Sequence, residues 1–362
     1  MTDPNPPWLD RPRAVRPGEE LDLPALAAFL RAHIDGLGGE LEVEQFPGGH
    51  SNLTYLLRFR ERELVLRRPP AGAKGIKHGH DMGREFRVLG ALHRVWPKVP
   101  RPLAFSEEND SPLGIAFFVM ERVRGVILRS ASARGVTLDP PTMRRVCEAF
   151  VDNLVELHAI DVQRAQLADL GRPDGYVERQ ISGWTERWRK ARTDGVPDLD
   201  RTAEYLATHV PPATAPTLVH NDYKLDNLVL DPDDLGRVRA VLDWEMATVG
   251  DPLSDLGMSL AYWIDADDAP ELRALQVGHP LLPGNLTRAE IAARYAQKSG
   301  RDVARLAYFR VLGLFKVAVI AQQIYARYAA GLTKDERFAR MLDAVRVLGR
   351  TAIVASRSGS LS

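Results

Sequence analysis

The sequence predicts an α+β fold with two unequal parts, and three observations support this prediction. Through about residue 125, short apolar runs separated by turn-forming residues are typical of β-strands. Beyond that point, apolar residues recur mostly at the spacing of amphipathic helices. A strand–turn–strand pattern at 217–243 interrupts the helical part. The length of 362 residues also suits about two domain-sized units.

The first part is predicted to begin with a disordered N-terminal arm. Residues 1–20 are rich in proline, which does not favour regular structure. Apolar residues at helical spacing predict helices at 23–34 and 81–92. The predicted strands lie at 41–46, 53–59, 63–68 and 115–121. Together these elements make a predicted first domain at 21–125.

The second part is predicted to be mainly helical. Helical periodicity covers 140–158, 180–205 and 287–348. Two strand patterns, within 217–230 and 238–243, lie between the second and third of these segments. The predicted second domain therefore spans 126–350, and residues 351–362 are predicted to form a C-terminal tail.

The composition excludes several classes of function. The chain has 48 Lys and Arg residues against 48 Asp and Glu residues, and this balance argues against a nucleic-acid binder. The single cysteine, Cys147, excludes a disulfide scaffold and a cysteine-based zinc site. No apolar stretch of roughly 18 residues is free of charge, and the N-terminus has no signal-peptide pattern. The sequence therefore predicts a soluble cytoplasmic protein without membrane contact.

One polar segment carries the strongest functional signal. It reads HNDYKLDN at 220–227, with the pattern H-x-D-x-K-x-x-N, and a further acidic residue follows at Asp243. Phosphoryl transfer needs a carboxylate that accepts the proton of an alcohol, and oxygen ligands for Mg²⁺. Asp222, Asn227 and Asp243 offer these groups. The alternative is a turn between two core strands, because Asp and Asn bond readily to their own backbone in turns.

The segment at 220–227 resembles the catalytic loop of kinases, and the chain lacks the Ala-Pro-Glu segment of protein kinases. Over roughly residues 40–345 the chain resembles the aminoglycoside phosphotransferase and choline kinase family of small-molecule kinases. Three further segments resemble the kinase-like domains fused to acyl-CoA dehydrogenases: VLRRPP at 65–70, HDMGRE at 80–85 and LDWEMA at 242–247. The resemblance implies a bilobal protein-kinase-like fold with a small antiparallel-sheet N-lobe, a larger mainly helical C-lobe and ATP between them.

The resemblance also implies roles for catalytic and metal-binding residues. Asp222 is expected to orient and deprotonate the substrate hydroxyl, and Lys224 to neutralise phosphate charge. Asn227 and Asp243 are expected to bind Mg²⁺. If the strand that leads to Asp243 continues, Glu245 points to the same side, because side chains alternate along a strand. Glu245 would then be a second metal ligand or a water-mediated one.

A second set of residues is implied to bind the nucleotide. These are Gly49, Ser51, Asn52, Arg67, Glu85, Glu121 and Val123. Arg67 resembles the phosphate-binding strand lysine and Glu85 its helical partner, although a shift of one residue would give the role to Arg68. Loop 47–52 resembles a glycine-rich phosphate loop but departs from G-x-G-x-x-G, so an ordinary hairpin turn is the alternative. Glu121 and Val123 resemble the hinge, whose backbone pairs with adenine.

Other residues are expected to have structural roles. His220 resembles the histidine that braces the catalytic loop, and Asp255 resembles an aspartate that supports it. His158 is expected to pack inside the helical part. Trp184 and Trp188, one helical turn apart, are expected either to pack in the core or to cover the substrate.

The predicted function is transfer of the γ-phosphoryl group of ATP, with Mg²⁺, to a hydroxyl of a small-molecule alcohol. Residues 1–129 hold 19 basic and 17 acidic residues, and 130–362 hold 29 and 31, which gives little sign of an acidic face for a polycationic antibiotic. The basic run at 67–101, including Lys74 and Lys77, makes a hydroxy acid or hydroxyacyl-CoA the first acceptor to test. The alternatives are a catalytically weak, pseudokinase-like nucleotide-binding module and an aminoglycoside-type antibiotic kinase.

Overall fold

The computed structural model describes residues 12–47, 52–60, 62–70, 81–129, 138–275, 278, 281–333 and 335–361. These residues form two compact units. The first unit contains the chain up to Ile127 together with Gln163–Leu167 and Asn227–Ala247. The second unit contains Leu128–Val162, Ala168–Asp226 and the chain from Thr248 onward.

The described residues contain nine β-strands and ten α-helices. The strands are β1 (Leu41–Gln45), β2 (Leu53–Phe59), β3 (Arg62–Arg68), β4 (Pro102–Ser106), β5 (Phe117–Glu121), β6 (Thr217–Val219), β7 (Leu228–Leu230), β8 (Val238–Val241) and β9 (Thr248–Gly250). The helices are α1 (Leu23–His33), α2 (Met82–Val95), α3 (Pro140–His158), α4 (Tyr176–Ala191), α5 (Pro197–Thr208), α6 (Pro252–Ala261), α7 (Pro270–Ala274), α8 (Arg288–Ser299), α9 (Leu306–Ala329) and α10 (Met341–Ser358). Short 3₁₀ helices lie at Glu108–Asp110, Ala168–Leu170, Leu225–Asn227 and Glu336–Arg340.

A five-stranded antiparallel sheet, in the order β1–β2–β3–β5–β4, forms most of the first unit. Tyr55 and Leu57 of β2 pack in a core to which α1 contributes Leu30. Side chains alternate between the two faces of a strand, so neighbouring residues of β3 point in opposite directions. Arg67 and Arg68 therefore lie on opposite faces of the sheet.

Helix α2 brings an acidic residue into the interior of the first unit. The Asp81 carboxylate caps the helix by accepting a hydrogen bond from the Arg84 amide at 2.8 Å. Apolar side chains such as Val88 and Leu92 are fully buried, and Glu85 lies on the same buried side with 1% of its surface exposed. Because burial of an unpaired charge is costly, Glu85 needs a cationic partner.

The hairpin of β7 and β8 belongs to the first unit, although the sequence places it in a second domain at 126–350. Val126 forms a backbone bridge with Leu230, the last residue of β7. Gly125 permits this contact, because a Cβ atom there would lie 2.3 Å from the Leu230 carbonyl oxygen. The division into units therefore follows packing, whereas the prediction followed chain order.

Helix α9 lies in the core of the second unit, in contact with α4, α6 and α10. Among the described residues it is the one helix long and apolar enough to span a membrane, with a mean hydropathy of 1.3 in its most apolar window. Of that window 78% is buried inside the protein, as is typical of a core helix. Gly257 lets α6 approach α9, because a Cβ atom there would lie 2.5 Å from the backbone of Phe309.

Both ends of the described chain are more ordered than predicted. Of the arm predicted at 1–20, residues 1–11 lie outside the described residues, but Arg13 forms a backbone bridge with Gln45. Val15 packs against the core of the first unit, so apolar burial and strand pairing hold this part of the arm. Helix α10 extends to Ser358 and buries Ala352 within the segment predicted as a tail.

Candidate active site

A buried arginine joins three carboxylates in the first unit. Arg67 of β3 donates a hydrogen bond from Nη1 to Oε1 of Glu85 at 2.5 Å. Its Nη2 donates to Oδ1 of Asp243 at 3.0 Å and lies 3.7 Å from Oε2 of Glu245. We call Arg67, Glu85, Asp243 and Glu245 the arginine cluster. The cluster brings together residues that were predicted to bind the nucleotide and residues that were predicted to bind the metal.

The neighbouring arginine takes no part in this cluster. Arg68 donates from Nη2 to the hydroxyl of Tyr55 at 2.8 Å and to the carbonyl oxygen of Glu19 at 3.1 Å. These partners lie on the other face of the sheet, as alternation along β3 requires. Arg67, rather than Arg68, is therefore the partner of Glu85.

Within the arginine cluster, one guanidinium lies within 4 Å of three carboxylates. Burial raises the pKa of Glu85 to about 7, since desolvation and the charge of Asp243 outweigh the attraction of Arg67. Burial lowers the pKa of Arg67, but the charges of Glu85, Asp243 and Glu245 raise it by more. The pKa of Arg67 is therefore above its ordinary value, and Arg67 stays charged. The Asp243 side chain is 32% exposed, and that of Glu85 is 1% exposed. Of these two carboxylates, Asp243 is therefore the one that solvent can reach.

The β7–β8 pairing brings Asn227 and Asp243 close in the backbone. Leu228 pairs with Val241, and the amide of Leu242 donates to the carbonyl oxygen of Asn227 at 2.8 Å. Side-chain oxygens of Asn and Asp are the hard ligands that Mg²⁺ prefers, so these two residues fit a magnesium site. The described residues contain no group of three or more His, Cys, Asp or Glu side chains that could hold a metal. A Mg²⁺ ion here would take its remaining oxygens from water and phosphate, as this ion usually does.

The strand that would align Glu245 with Asp243 does not continue, so the condition of that prediction is not met. Strand β8 ends at Val241, and Asp243 has a left-handed backbone with a φ of 68°. Glu245 nevertheless reaches the arginine cluster, and its Oε2 accepts a hydrogen bond from Nδ2 of Asn52 at 2.6 Å. Asn52 is 2% exposed, so its amide links the segment before β2 to Glu245.

Two other residues predicted to bind the nucleotide, Glu121 and Val123, are not part of the arginine cluster. Gly49 and Ser51 lie outside the described residues. The amide of Glu121, at the end of β5, donates to the carbonyl oxygen of Arg101 at 2.9 Å. Val123 packs on the small core of the β7–β8 hairpin. The adenine-binding role of Glu121 and Val123 stays a prediction.

The predicted catalytic base lies in the second unit. The Lys224 ammonium is 2.9 Å from Oδ2 of Asp222, and each side chain is 23% exposed. Lys224 also lies 5.0 Å from the centre of the Tyr262 ring. Burial lowers the pKa of Lys224, but Asp222, Tyr262 and Asp226 together raise it more, so the pKa is above its ordinary value. Asp222 therefore has a permanent cationic neighbour.

A buried aspartate holds the backbone that leads to Asp222. The Asp255 carboxylate accepts hydrogen bonds from the amides of His220 and Asn221, each at 2.7 Å. The ring of His158 lies 3.2 Å from the same carboxylate. Burial raises the pKa of Asp255, but these hydrogen bonds and the charge of His158 lower it below the ordinary value. The contacts support the predicted structural roles of Asp255, His220 and His158.

We expect Asp255→Ala to lower the free energy of unfolding by on the order of 3 kcal/mol. One buried and one partly buried amide lose their acceptor, at about 1–3 kcal/mol each. Since the pKa of Asp255 is lowered, this contribution is present at neutral pH and disappears in acid. Urea unfolding of the variant and of Asp267→Ala, an exposed acid of the same unit, measures the effect. Equal losses of unfolding free energy in the two variants would contradict the structural role of Asp255.

Sequence patterns gave no sign of two further residues near Asp222. The Tyr176 hydroxyl, at the start of α4, donates to Oδ1 of Asn221 at 2.8 Å. Burial raises the pKa of Asp226 to about 6, and its Oδ1 makes no hydrogen bond. Asp226 occupies an unspecified position of the pattern H-x-D-x-K-x-x-N, so the motif gave it no role. Tyr176 is 45 positions away from Asn221, so no local pattern joins the two.

Comparisons with known proteins identify relatives of the chain. A profile described as the phosphotransferase enzyme family matches residues 42–309. Acyl-CoA dehydrogenase family member 11 of Rattus norvegicus is 34% identical over 355 residues, which cover 95% of this chain and 44% of the relative. Acyl-CoA dehydrogenase family member 10 of Mus musculus is 33% identical over 322 residues, which cover 88% of this chain and 30% of the relative. The chain thus spans less than half the length of these relatives.

Solved structures share the fold. A Ralstonia eutropha protein assigned as an aminoglycoside phosphotransferase has 29% identity and a TM-score of 0.79, with 94% of this chain and 99% of that chain covered. Choline kinase of Cryptosporidium parvum has 14% identity and a TM-score of 0.58, with 93% and 99% covered. An aminoglycoside phosphotransferase bound to GDP and kanamycin has 16% identity and a TM-score of 0.60, with 90% and 98% covered. The predicted α+β, kinase-like fold is confirmed.

Proposed function

The chain belongs to the phosphotransferase enzyme family, and from this premise we propose that it is an active small-molecule kinase. It transfers the γ-phosphoryl group of ATP to a hydroxyl of a small-molecule alcohol. The observation that carries the proposal is the contact of Arg67 with both Glu85 and Asp243. In protein kinases, an ion pair between a strand cation and a helix glutamate, together with an acidic metal ligand, must be in place for phosphoryl transfer.

An arginine replaces the usual strand lysine in this arrangement. Its guanidinium is planar and always charged, and it presents several donors in a fixed geometry that suits phosphate. Arg67 already uses both Nη atoms on carboxylates, so Glu85 and Asp243 fix its orientation. The guanidinium is thus positioned before a nucleotide arrives, which reduces the ordering cost of binding.

The proposed roles follow the predicted sites. Asp222 accepts the proton of the acceptor hydroxyl, and the neighbouring Lys224 ammonium stabilises the charges around it. Asn227 and Asp243 hold Mg²⁺, which neutralises phosphate charge when it is bound. The hydrogen bonds of Asp255 keep the loop before Asp222 in a single conformation. Catalysis is mainly positioning and charge neutralisation, as this reaction requires.

ATP is the proposed phosphoryl donor. The structures of related fold include one aminoglycoside phosphotransferase in complex with GDP and another in complex with AMP-PNP and hygromycin B. These complexes support binding of a nucleotide. Our proposal assigns it to the arginine cluster and to the other predicted residues, Gly49, Ser51, Asn52, Glu121 and Val123. Competition between ATP and GTP in a single assay tests the choice of base.

A hydroxy acid or hydroxyacyl-CoA is the proposed acceptor class. Two relatives carry the names of acyl-CoA dehydrogenase family members, and these names motivate the class without specifying a substrate. The small net charge of each part of the sequence gives little support for a polycationic aminoglycoside. A nucleotide-binding module without turnover is the second candidate, because Arg67 replaces the usual lysine.

The decisive experiment is a screen for phosphorylated product. The chain is incubated with Mg-ATP and, separately, hydroxy acids, hydroxyacyl-CoA thioesters, amino alcohols and aminoglycosides, and ³¹P NMR detects new phosphate esters. We expect one class to be phosphorylated in proportion to the ATP consumed, and we expect Asn227→Ala to abolish the signal. ATP binding without any phosphate ester, or product formation that Asn227→Ala does not affect, would overturn the proposal.

A further inference from the structure

Two cations lie close to one indole ring in the second unit. The guanidinium carbon of Arg187 lies 4.5 Å from the centre of the Trp184 ring, and Nζ of Lys316 lies 5.7 Å from it. Trp184 and Arg187 belong to α4, and Lys316 belongs to α9. Lys316 is 3% exposed, whereas Arg187 is exposed. We call Trp184, Arg187 and Lys316 the cationic pair site.

Neither cation makes an ion pair or a hydrogen bond with any other part of the chain that the structure describes. A buried ammonium is costly unless an anion or hydrogen-bond acceptor is near it. Burial and the charge of Arg187 lower the pKa of Lys316 to about 8, and Asp255 only partly opposes them. The Asp255 carboxylate is already occupied by the amides of His220 and Asn221.

The cationic pair site belongs to the same part of the second unit as the catalytic loop. Helix α4 begins at Tyr176, whose hydroxyl contacts Asn221, the residue before Asp222. Trp184 is eight residues further along α4, which corresponds to about 12 Å of helix. Lys316 interacts electrostatically with Asp255, which holds the same loop.

We propose that Lys316 and Arg187 bind the carboxylate of the acceptor, so that they select an anionic hydroxy compound. The inference rests on the proposed function, because it assigns the acceptor hydroxyl to Asp222. Both cations lie beside the Trp184 ring. The carbon chain of such a compound would extend from the cations toward the loop. Lys316 and Arg187 are specificity residues, and they take no part in proton or phosphoryl transfer.

Binding measurements test the proposal without any need for turnover. Calorimetry measures the affinity of the wild type, Lys316→Met and Arg187→Gln for two sets of ligands. These are hydroxycarboxylic acids of three to eight carbons and the corresponding amides. We expect Lys316→Met to weaken binding of the best acid by tenfold or more, Arg187→Gln to weaken it several-fold, and neither to change binding of the amide. Arg189→Gln, an exposed arginine on another face of α4, is the control and should bind as the wild type does.

Several results would overturn the proposal. They are failure of every acid to bind the wild type, equal binding of acid and amide, and unchanged acid affinity in both variants. A hydroxyacyl-CoA thioester that binds where the free acids do not, and that Lys316→Met weakens, would assign the anion to the phosphates of CoA instead. Because Arg187 is exposed, Arg187→Gln keeps the test valid if Lys316→Met does not fold.

Kinetics separate this inference from the proposed function. With Mg-ATP and the best acid, Lys316→Met should raise the KM for the acid about tenfold and change kcat and the KM for ATP much less. Selective acid binding without any phosphate transfer would contradict the proposed function and leave the anion site standing. Transfer to acid and amide with equal kcat/KM would contradict the anion site and leave the proposed function standing.

Discussion

Asp222→Asn is expected to lower kcat for phosphoryl transfer by about 10²–10⁴-fold, the range typical for loss of a general base. The amide keeps the size of the side chain but cannot take the proton of the acceptor hydroxyl. The substitution also removes the ion pair with Lys224, whose ammonium lies 2.9 Å from the carboxylate. Steady-state assays with the best acceptor of the screen, and ATP hydrolysis without acceptor, measure the loss.

The KM for Mg-ATP is expected to change little in Asp222→Asn, because the predicted nucleotide-binding residues lie in other segments of the chain. Asp233→Asn is the matched control, since Asp233 is an exposed aspartate just after the motif. It should keep the wild-type kcat. If Asp222→Asn and the wild type consume ATP at equal rates, Asp222 is not a catalytic base, and the nucleotide-binding module becomes the better interpretation.

Arg67→Met is expected to destabilise the protein by about 3–5 kcal/mol, the usual cost of breaking a buried ion pair by removal of one partner. Glu85 is fully buried, and in the variant it keeps only the repulsion of Asp243 and a backbone hydrogen bond from Trp244. Urea unfolding gives the change in free energy. Arg101 is an exposed arginine whose Nε lies 3.5 Å from Oε1 of Glu121. Arg101→Met should lower the free energy of unfolding by less than about 1 kcal/mol.

Substitutions at Arg67 and at Glu85 should lower the free energy of unfolding by different amounts. Glu85→Gln is expected to cost less than Arg67→Met, because Arg67 still donates to Asp243 at 3.0 Å. The double variant Arg67→Met/Glu85→Leu should recover most of the stability, since it leaves no unpaired charge at the two buried positions. Equal costs for the two single variants, or additive costs in the double variant, would contradict the arrangement of the arginine cluster.

The effect of Arg67→Met should depend on pH. In the wild type the pKa of Glu85 is already about 7, and loss of the arginine raises it further. Because the folded variant then binds this proton more tightly than the unfolded chain does, its stability falls as pH rises through neutrality. The difference from the wild type should therefore be larger at pH 8 than at pH 6. A difference that grows toward acid would refute this account of Glu85.

Local patterns predicted the catalytic loop because its residues are neighbours in sequence. The order and spacing of Asp222, Lys224 and Asn227 were visible as one motif, and the structure pairs Asp222 with Lys224. Strand alternation also predicted that Arg67 and Arg68 point in opposite directions, but it left open which of the two faces Glu85. The same rule failed at Asp243, because a single left-handed residue ends the alternation beyond β8.

The cationic pair site shows what such patterns cannot predict. Lys316 is one cation in a long apolar helix, and only the packing of α9 on α4 places it beside Trp184. The sequence anticipated core packing or a substrate cover for Trp184, but it contained no signal that would join the ring to a residue 132 positions away. Tyr176 and Asn221 meet for the same reason.

The sequence by itself determined the family and the kinase-like fold class, and it predicted a catalytic role for the motif at 220–227, because periodicity and short motifs depend on residues close together in the chain. Only the tertiary structure decided that β7 and β8 pack with the first unit, that Arg67 serves three carboxylates, and that Lys316 and Arg187 share one indole. Each of these depends on contacts between distant segments. Such contacts follow from how apolar faces fill a common core, and no single stretch of sequence records that choice.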